Sequence, residues 1–222
     1  MEEEINYRKE TEKAMQSVEG KPLSTDEASL SAYQDICCGS VLIAEQDLQD
    51  QDNEWEIAGL ARRVLFYATQ LVACDYALDT QSEVVRRMVQ ALSDHPRLEL
   101  KLLRLWIEIV QKQGKQEEKK EELSNTQETI ALLERNIALA DNGEAEKAEQ
   151  RGYLKRDPIE WTQEWEDVID DVDRVVYHNL RDQPRGMGFC HGFWHERYRV
   201  LKTLFNMDWR SPAVMNPRVL FD

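Results

Sequence analysis

Glycine and proline are scarce in this chain of 222 residues, with nine Gly and six Pro. They fall mostly between periodic segments, which argues against a many-turned β architecture and for long helices. Cysteine is scarcer still. Cys37, Cys38, Cys74 and Cys190 include no CxxC pair, a pattern that argues against a disulfide framework and points to a reducing compartment. No segment alternates with period two over strand length, and no repeat period is visible. Long apolar runs are absent too: the richest stretch, Val64 to Ala73, is too short and too polar to span a bilayer. An excess of basic charge is also missing. Against 28 Lys and Arg stand 43 Asp and Glu, for a net charge of −15. Such a surface repels phosphate backbones and anionic membranes, so neither nucleic acid nor membrane is the expected partner. The first residues, Met1-Glu2-Glu3-Glu4, lack the apolar stretch of a secretory signal. The expected location is cytoplasmic.

What is present is helical periodicity. Residues 1–22 are charged and weakly periodic, and read as a weakly ordered N-terminal arm, a frayed helix or a loose segment, ended by Gly20 and Pro22. Residues 23–222 read as a single helical domain with a change of character near 114–124. Ser24-Thr25-Asp26-Glu27 has the form of a capping box, with Ser24 as cap. Leu30, Tyr33, Cys37, Val41, Ala44 and Leu48 then step by three or four. Asn53 to Glu56 should cap a second helix and Thr80 to Glu83 a third, and Pro96 should open a fourth. A charged run from Lys115 leads into a long helix that Asn142-Gly143 ends. Asp157-Pro158-Ile159-Glu160 is the cleanest start signal, an acidic cap with Pro at the first helical position. A last helix runs from about Gly188 to Asn206. The resulting expectation is an all-α, antiparallel bundle of about seven helices. Its tail beyond Asn206 is expected to pack back on it, through a turn at Ser211-Pro212 and an extended Val219-Leu220-Phe221.

Several constellations carry potential chemistry. His191 and His195 are four apart, so both imidazoles share one helical face and form half of a zinc or other divalent-metal site. Glu164, Asp171 and His178 of the preceding helix are the available remaining ligands. Gly188-Phe189-Cys190-His191-Gly192 has the letters of a nucleophile elbow, but the residues before it cannot form the required strand. Glu117-Glu118-Lys119-Lys120-Glu121 has the letters of a carboxylate magnesium motif without its second carboxylate pair, and reads as a solvated, exposed face. Trp161 and Trp165, one turn apart, are expected to stack on one side of their helix. Trp209, Met215, Leu220 and Phe221 give the tail more apolar bulk than a disordered segment needs, and mark it as a packing or partner-binding element.

No catalytic motif is complete. The sequence reads best as a protein-interaction or structural module that needs no cofactor and whose partner is another protein or a second copy. The alternative is a small metal-dependent hydrolase or metal-binding protein built on His191 and His195.

Overall fold

The computed structural model describes residues 6–150, 152 and 154–221. Residues 1–5 of the N-terminal arm and the final Asp222 lie outside the described residues. Among those described, 72% are helical, in nine α-helices with no strand, so the all-α bundle expected from periodicity is the observed class. No described helix is long and apolar enough to cross a membrane. The chain divides into two compact units, residues 1–93 with 98–130, and residues 94–97 with 131–222.

The first unit holds α1 (Tyr7–Val18), α2 (Glu27–Asp50), α3 (Ile57–Ala73), α4 (Leu78–Ala91), α5 (Pro96–Lys112) from Leu98 onward, and α6 (Lys120–Asp141) as far as Ile130. Its core is built where the periodic pattern puts it. Tyr33, Cys37, Val41 and Ala44 of α2 meet Ala61, Val64, Ala68 and Leu71 of α3, together with Val85 and Met88 of α4 and Leu102, Ile109 and Val110 of α5. Ala61 and Ala68 are seven apart, so α3 presents a flat stripe of small side chains on one face.

Within the N-terminal segment, Tyr7–Val18 forms α1, and among the described residues of that helix only Thr11 is buried. A Cβ added at Gly39 of α2 would fall inside the Thr11 hydroxyl, so the absence of a side chain there is what lets α1 approach. Arg8 completes the docking with two bonds to Asp47, at 2.7 and 2.8 Å, and one to Glu56 at 2.6 Å. Charge and close approach thus supply what a weak apolar face could not.

Several helix starts differ from the expected ones. Asp26, not Ser24, caps α2, accepting from the Ser29 amide at 2.9 Å while Ser24 donates to Asp26. A carboxylate is the stronger acceptor for that role. Asn53 takes a left-handed conformation ahead of a 3-10 turn at Glu54–Glu56, and its side chain caps nothing. Ala77, also left-handed and three residues before Thr80, stands at the N-cap of α4.

The second unit holds Asp94–Arg97, the rest of α6, α7 (Gln163–Leu180), α8 (Phe189–Phe205) and the short α9 (Pro212–Met215). Asp157-Pro158 makes the expected cap, with Asp157 accepting from the Ile159 amide. It drives only a 3-10 turn, Pro158–Trp161. The chain then recaps at Thr162, whose hydroxyl accepts from the Trp165 amide, and α7 begins. That second start separates Trp161 from Trp165, so the expected one-turn stack does not form. Trp165 pairs instead with Trp209, ring centroids 6.0 Å apart. From α7, Trp165, Ile169, Val172, Val176 and Leu180 turn inward onto Val200 and Leu201 of α8 and onto Met207 and Trp209 of the tail. Gly188 at φ 83° opens α8, and Asn206 at φ 51° closes it, both in the left-handed region that glycine and asparagine tolerate best.

Candidate functional site

The site is built by the reversal of the chain after α8. The left-handed Asn206 turns the backbone, and the Met207 amide closes the turn on the Leu201 carbonyl. Trp209 then enters the core at 3% exposure. Its indole N–H donates to Glu160 Oε1 at 2.8 Å. Asp157 Oδ2 accepts from both the backbone N–H and Nε of Arg210, at 2.8 and 2.7 Å. Ser211 caps α9. Asn216 behaves like a backbone pair: it accepts from the Lys155 N–H at 2.8 Å and donates to the Lys155 carbonyl at 2.9 Å. The tail is therefore fastened by polar contacts at three points, all of them on residues 155–160.

Between α8 and this returning tail lies a cavity of about 390 Å³. Its lining is His191, Trp194, His195, Tyr198, Trp209, Arg210, Ser211 and Val214. The two imidazoles expected to share a face do so, both exposed and both in the lining. Neither has a hydrogen-bond partner among the described residues. His191 meets Trp194 edge-on at 5.4 Å.

The remaining ligands of the proposed metal site are not brought to them. On α7 the residues at 165, 169, 172 and 176 face inward. Glu164, Asp171 and His178 repeat every seven residues along the exposed side. Asp171 pairs there with Arg174, and His178 with Arg181. Among the described residues no group of three or more His, Cys, Asp or Glu is placed to hold a metal ion. Cys190 is half-buried at the start of α8, directly after the Gly188 turn and with no strand before it. Glu117 and Glu118 are exposed just ahead of α6.

The tail residues divide. Trp209 is core, Met215 is half-buried, and Phe221 packs edge-on against Trp194 with ring centroids 5.0 Å apart. Leu220 is 97% exposed. The Val219 amide bonds the Asn216 carbonyl, so the expected extended stretch begins with a turn.

Behind the cavity is a buried ionic network that periodicity did not reveal. Arg197 of α8 is buried. It donates twice to Asp173, at 2.8 and 2.6 Å, and once to Asp94 at 2.9 Å. Its guanidinium also lies over Phe193, 4.9 Å away, and over Trp209, 5.6 Å away. Burial would push Asp94 up, but Arg197, Arg156 and His95 hold it below its ordinary value. Burial pushes Asp173 up to about 6, with Arg197 opposing and Asp94 adding to the rise. One guanidinium does not neutralise two buried carboxylates. Burial and the Asp94 charge push Glu160 up to about 7, against the pull of Arg156, the Trp209 bond and Arg197. Burial disfavours a charged His95. It is outweighed by Asp170 at 2.9 Å and Glu166 at 3.3 Å, and the imidazole rises to about 9. With both ring nitrogens held by carboxylates, His95 is a structural cation rather than a proton shuttle.

A sequence signal for this network exists. Glu166, Asp170 and Asp173 repeat at helical spacing one position away from the inward stripe of α7, so a row of carboxylates runs along the edge of the apolar face. Such a row requires cations opposite it.

No protein-family model, curated protein or solved structure matches the chain.

Proposed function

We propose that this protein is an interaction module whose contact surface is the outer face of α8 together with the returning tail. The observation that carries the reading is the cavity of about 390 Å³ walled by Trp194, Tyr198 and Trp209. On its rim Tyr198 is 42% and Val214 63% exposed. Aromatic walls, an apolar rim and a few polar groups are the features of a surface that seats a partner's side chain. The buried ions behind it serve this role by keeping Trp209 in place. The reading keeps a reducing compartment such as the cytoplasm, which the cysteine pattern without a CxxC pair favours, and the net charge of −15 disfavours nucleic acid as partner.

The test is selection from an unbiased library of displayed peptides on the full chain and on a Tyr198→Asp/Val214→Asp variant with an unchanged helical spectrum and melting curve. Wild type should enrich binders that the variant does not retain. A selection that enriches nothing on the wild-type chain refutes the reading.

A further inference from the structure

We infer that the cavity between α8 and the tail seats an acidic peptide segment carrying an aromatic anchor, the ring entering among Trp194, Tyr198 and Trp209 and the flanking carboxylates meeting His191, His195 and Arg210. This rests on the interaction reading above and specifies the partner's chemistry.

Charge distribution supplies the first reason. The chain carries 43 acidic residues against 28 Lys and Arg, yet none of the eight lining residues is acidic and three, His191, His195 and Arg210, are of basic type. The carboxylates nearest along the chain face other partners: Glu196 is held by Arg199 and Asn179, and Asp208 by Lys202. Arg210 gives Nε to Asp157 and one terminal nitrogen to Glu146 at 3.3 Å. Its side chain remains 47% exposed, which leaves further donor capacity on the fork. On a surface that otherwise repels anions, a lining with no carboxylate of its own, in which Arg210 alone is paired with acidic groups, favours an anionic visitor over a cationic one.

Size and an internal precedent supply the second. A volume of about 390 Å³ is near the lower end of the ~300–1,000 Å³ typical of ligand pockets. It fits one large side chain and its neighbours, not a helix laid lengthwise. Phe221, beyond the last helical turn, already packs edge-on against Trp194. Trp194 thus pairs with an aromatic ring presented by non-helical backbone, in the geometry such pairs prefer, although Phe221 itself does not line the cavity.

The test uses the full chain and four short peptides with blocked ends, titrated by calorimetry. One has a central Phe flanked by Glu. The others replace the Glu by Gln, the Glu by Lys, or the Phe by Ala. Indole N–H resonances of Trp194 and Trp209 are followed in parallel. The acidic aromatic peptide should bind and shift both indoles. The Gln peptide should bind about tenfold more weakly, the Lys peptide more weakly still, and the Ala peptide not measurably. In a His191→Asn/His195→Asn variant that melts like wild type, the preference for Glu over Gln should shrink severalfold. Equal affinity for the Glu and Gln peptides, equal affinity for the Phe and Ala peptides, or no binding by any of the four overturns the inference. The unbiased selection separates the two levels. Binders that lack acidic residues overturn this inference and leave the interaction reading standing, whereas an empty selection removes both.

Discussion

Replacing Glu160 by Gln should make the protein more stable at mildly alkaline pH and leave it nearly unchanged at mildly acidic pH. Glu160 is buried, and its Oε1 accepts from the Trp209 indole. An amide oxygen accepts that bond equally well, so the substitution removes the charge and keeps the contact. The carboxyl is raised from 4.5 to about 7. The folded chain therefore holds a proton that the unfolded chain has already released between those two values. Stability falls as pH rises through that window and is level above it. By the top of the window the buried charge costs about 3 kcal/mol. That is a large part of a typical total of about 5–15 kcal/mol. Gln avoids that cost, less a fraction of a kcal/mol for the half-exposed Arg156, which lies 3.8 Å from the carboxylate. Urea unfolding of both proteins at intervals from about pH 5 to about pH 9 should show the gain opening between about pH 5 and 7 and then staying constant. The Trp209 indole proton should titrate with a midpoint near 7 in wild type and not in the variant. A variant no more stable than wild type at about pH 8, with no titration of the indole, would refute the reasoning.

Other groups extend the same trend. Asp173, raised to about 6, also loses stability with rising pH. His95 is raised to about 9, so its contribution is complete below the ordinary 6.5 and disappears as pH climbs through 9. Asp94, Asp26 and Glu196, each held below its ordinary value, add stability that acid removes. The melting temperature of the wild-type chain should therefore peak at mildly acidic pH and decline toward about pH 9, which a pH series of melting curves checks. Arg197→Met should destabilise by about 3–5 kcal/mol, because two carboxylates stay buried without their cation, and adding Asp94→Asn and Asp173→Asn should recover most of the loss in urea titrations. Gly39→Ala should cost about 1–3 kcal/mol by driving a methyl into Thr11, with Thr11→Gly restoring α1 docking as read by amide exchange in residues 7–18. Deleting residues 207–222 removes buried Met207 and Trp209 and should cost about 4 kcal/mol or more in the same titration, whereas deleting 217–222 should change stability by less than about 1 kcal/mol.

Elements read from the sequence succeeded where one period dominated. The stripe of α2, Leu30-Tyr33-Cys37-Val41-Ala44, specifies the inward face, because burial follows apolar spacing directly, and only Leu48 at its end stays exposed. Helix starts fared worse. Several residues near each start can donate or accept, and the competition among Ser24, Thr25 and Asp26 is settled by geometry that spacing does not encode. The docking of α1 is not legible in the sequence because it rests on Gly39 and Arg8, one an absence of side chain and the other a charge, neither of which adds to a hydrophobic pattern. The histidine pair was legible as a shared face, since i and i+4 suffice for that. Its neighbours across the cavity were not, because Trp209, Arg210 and Val214 reach it through the turn at Asn206. His95 looked like a chain breaker beside Pro96. Its role depends on Glu166 and Asp170, 71 and more residues away in sequence.

The four residues Asp94 to Arg97 belong to the second unit, although the chain on both sides of them belongs to the first. Cloning the C-terminal half from residue 131 would thus yield a fragment missing a piece of its own interior. Arg197 would lose one of its two carboxylates, Glu166 and Asp170 their shared imidazole, and the Trp165 indole the Asp94 carbonyl it donates to at 2.8 Å. The charged stretch near 115–119 lies inside the first unit. A nick there, made in the assembled protein, should leave the two pieces bound to each other, because the second unit draws on chain from either side of the break.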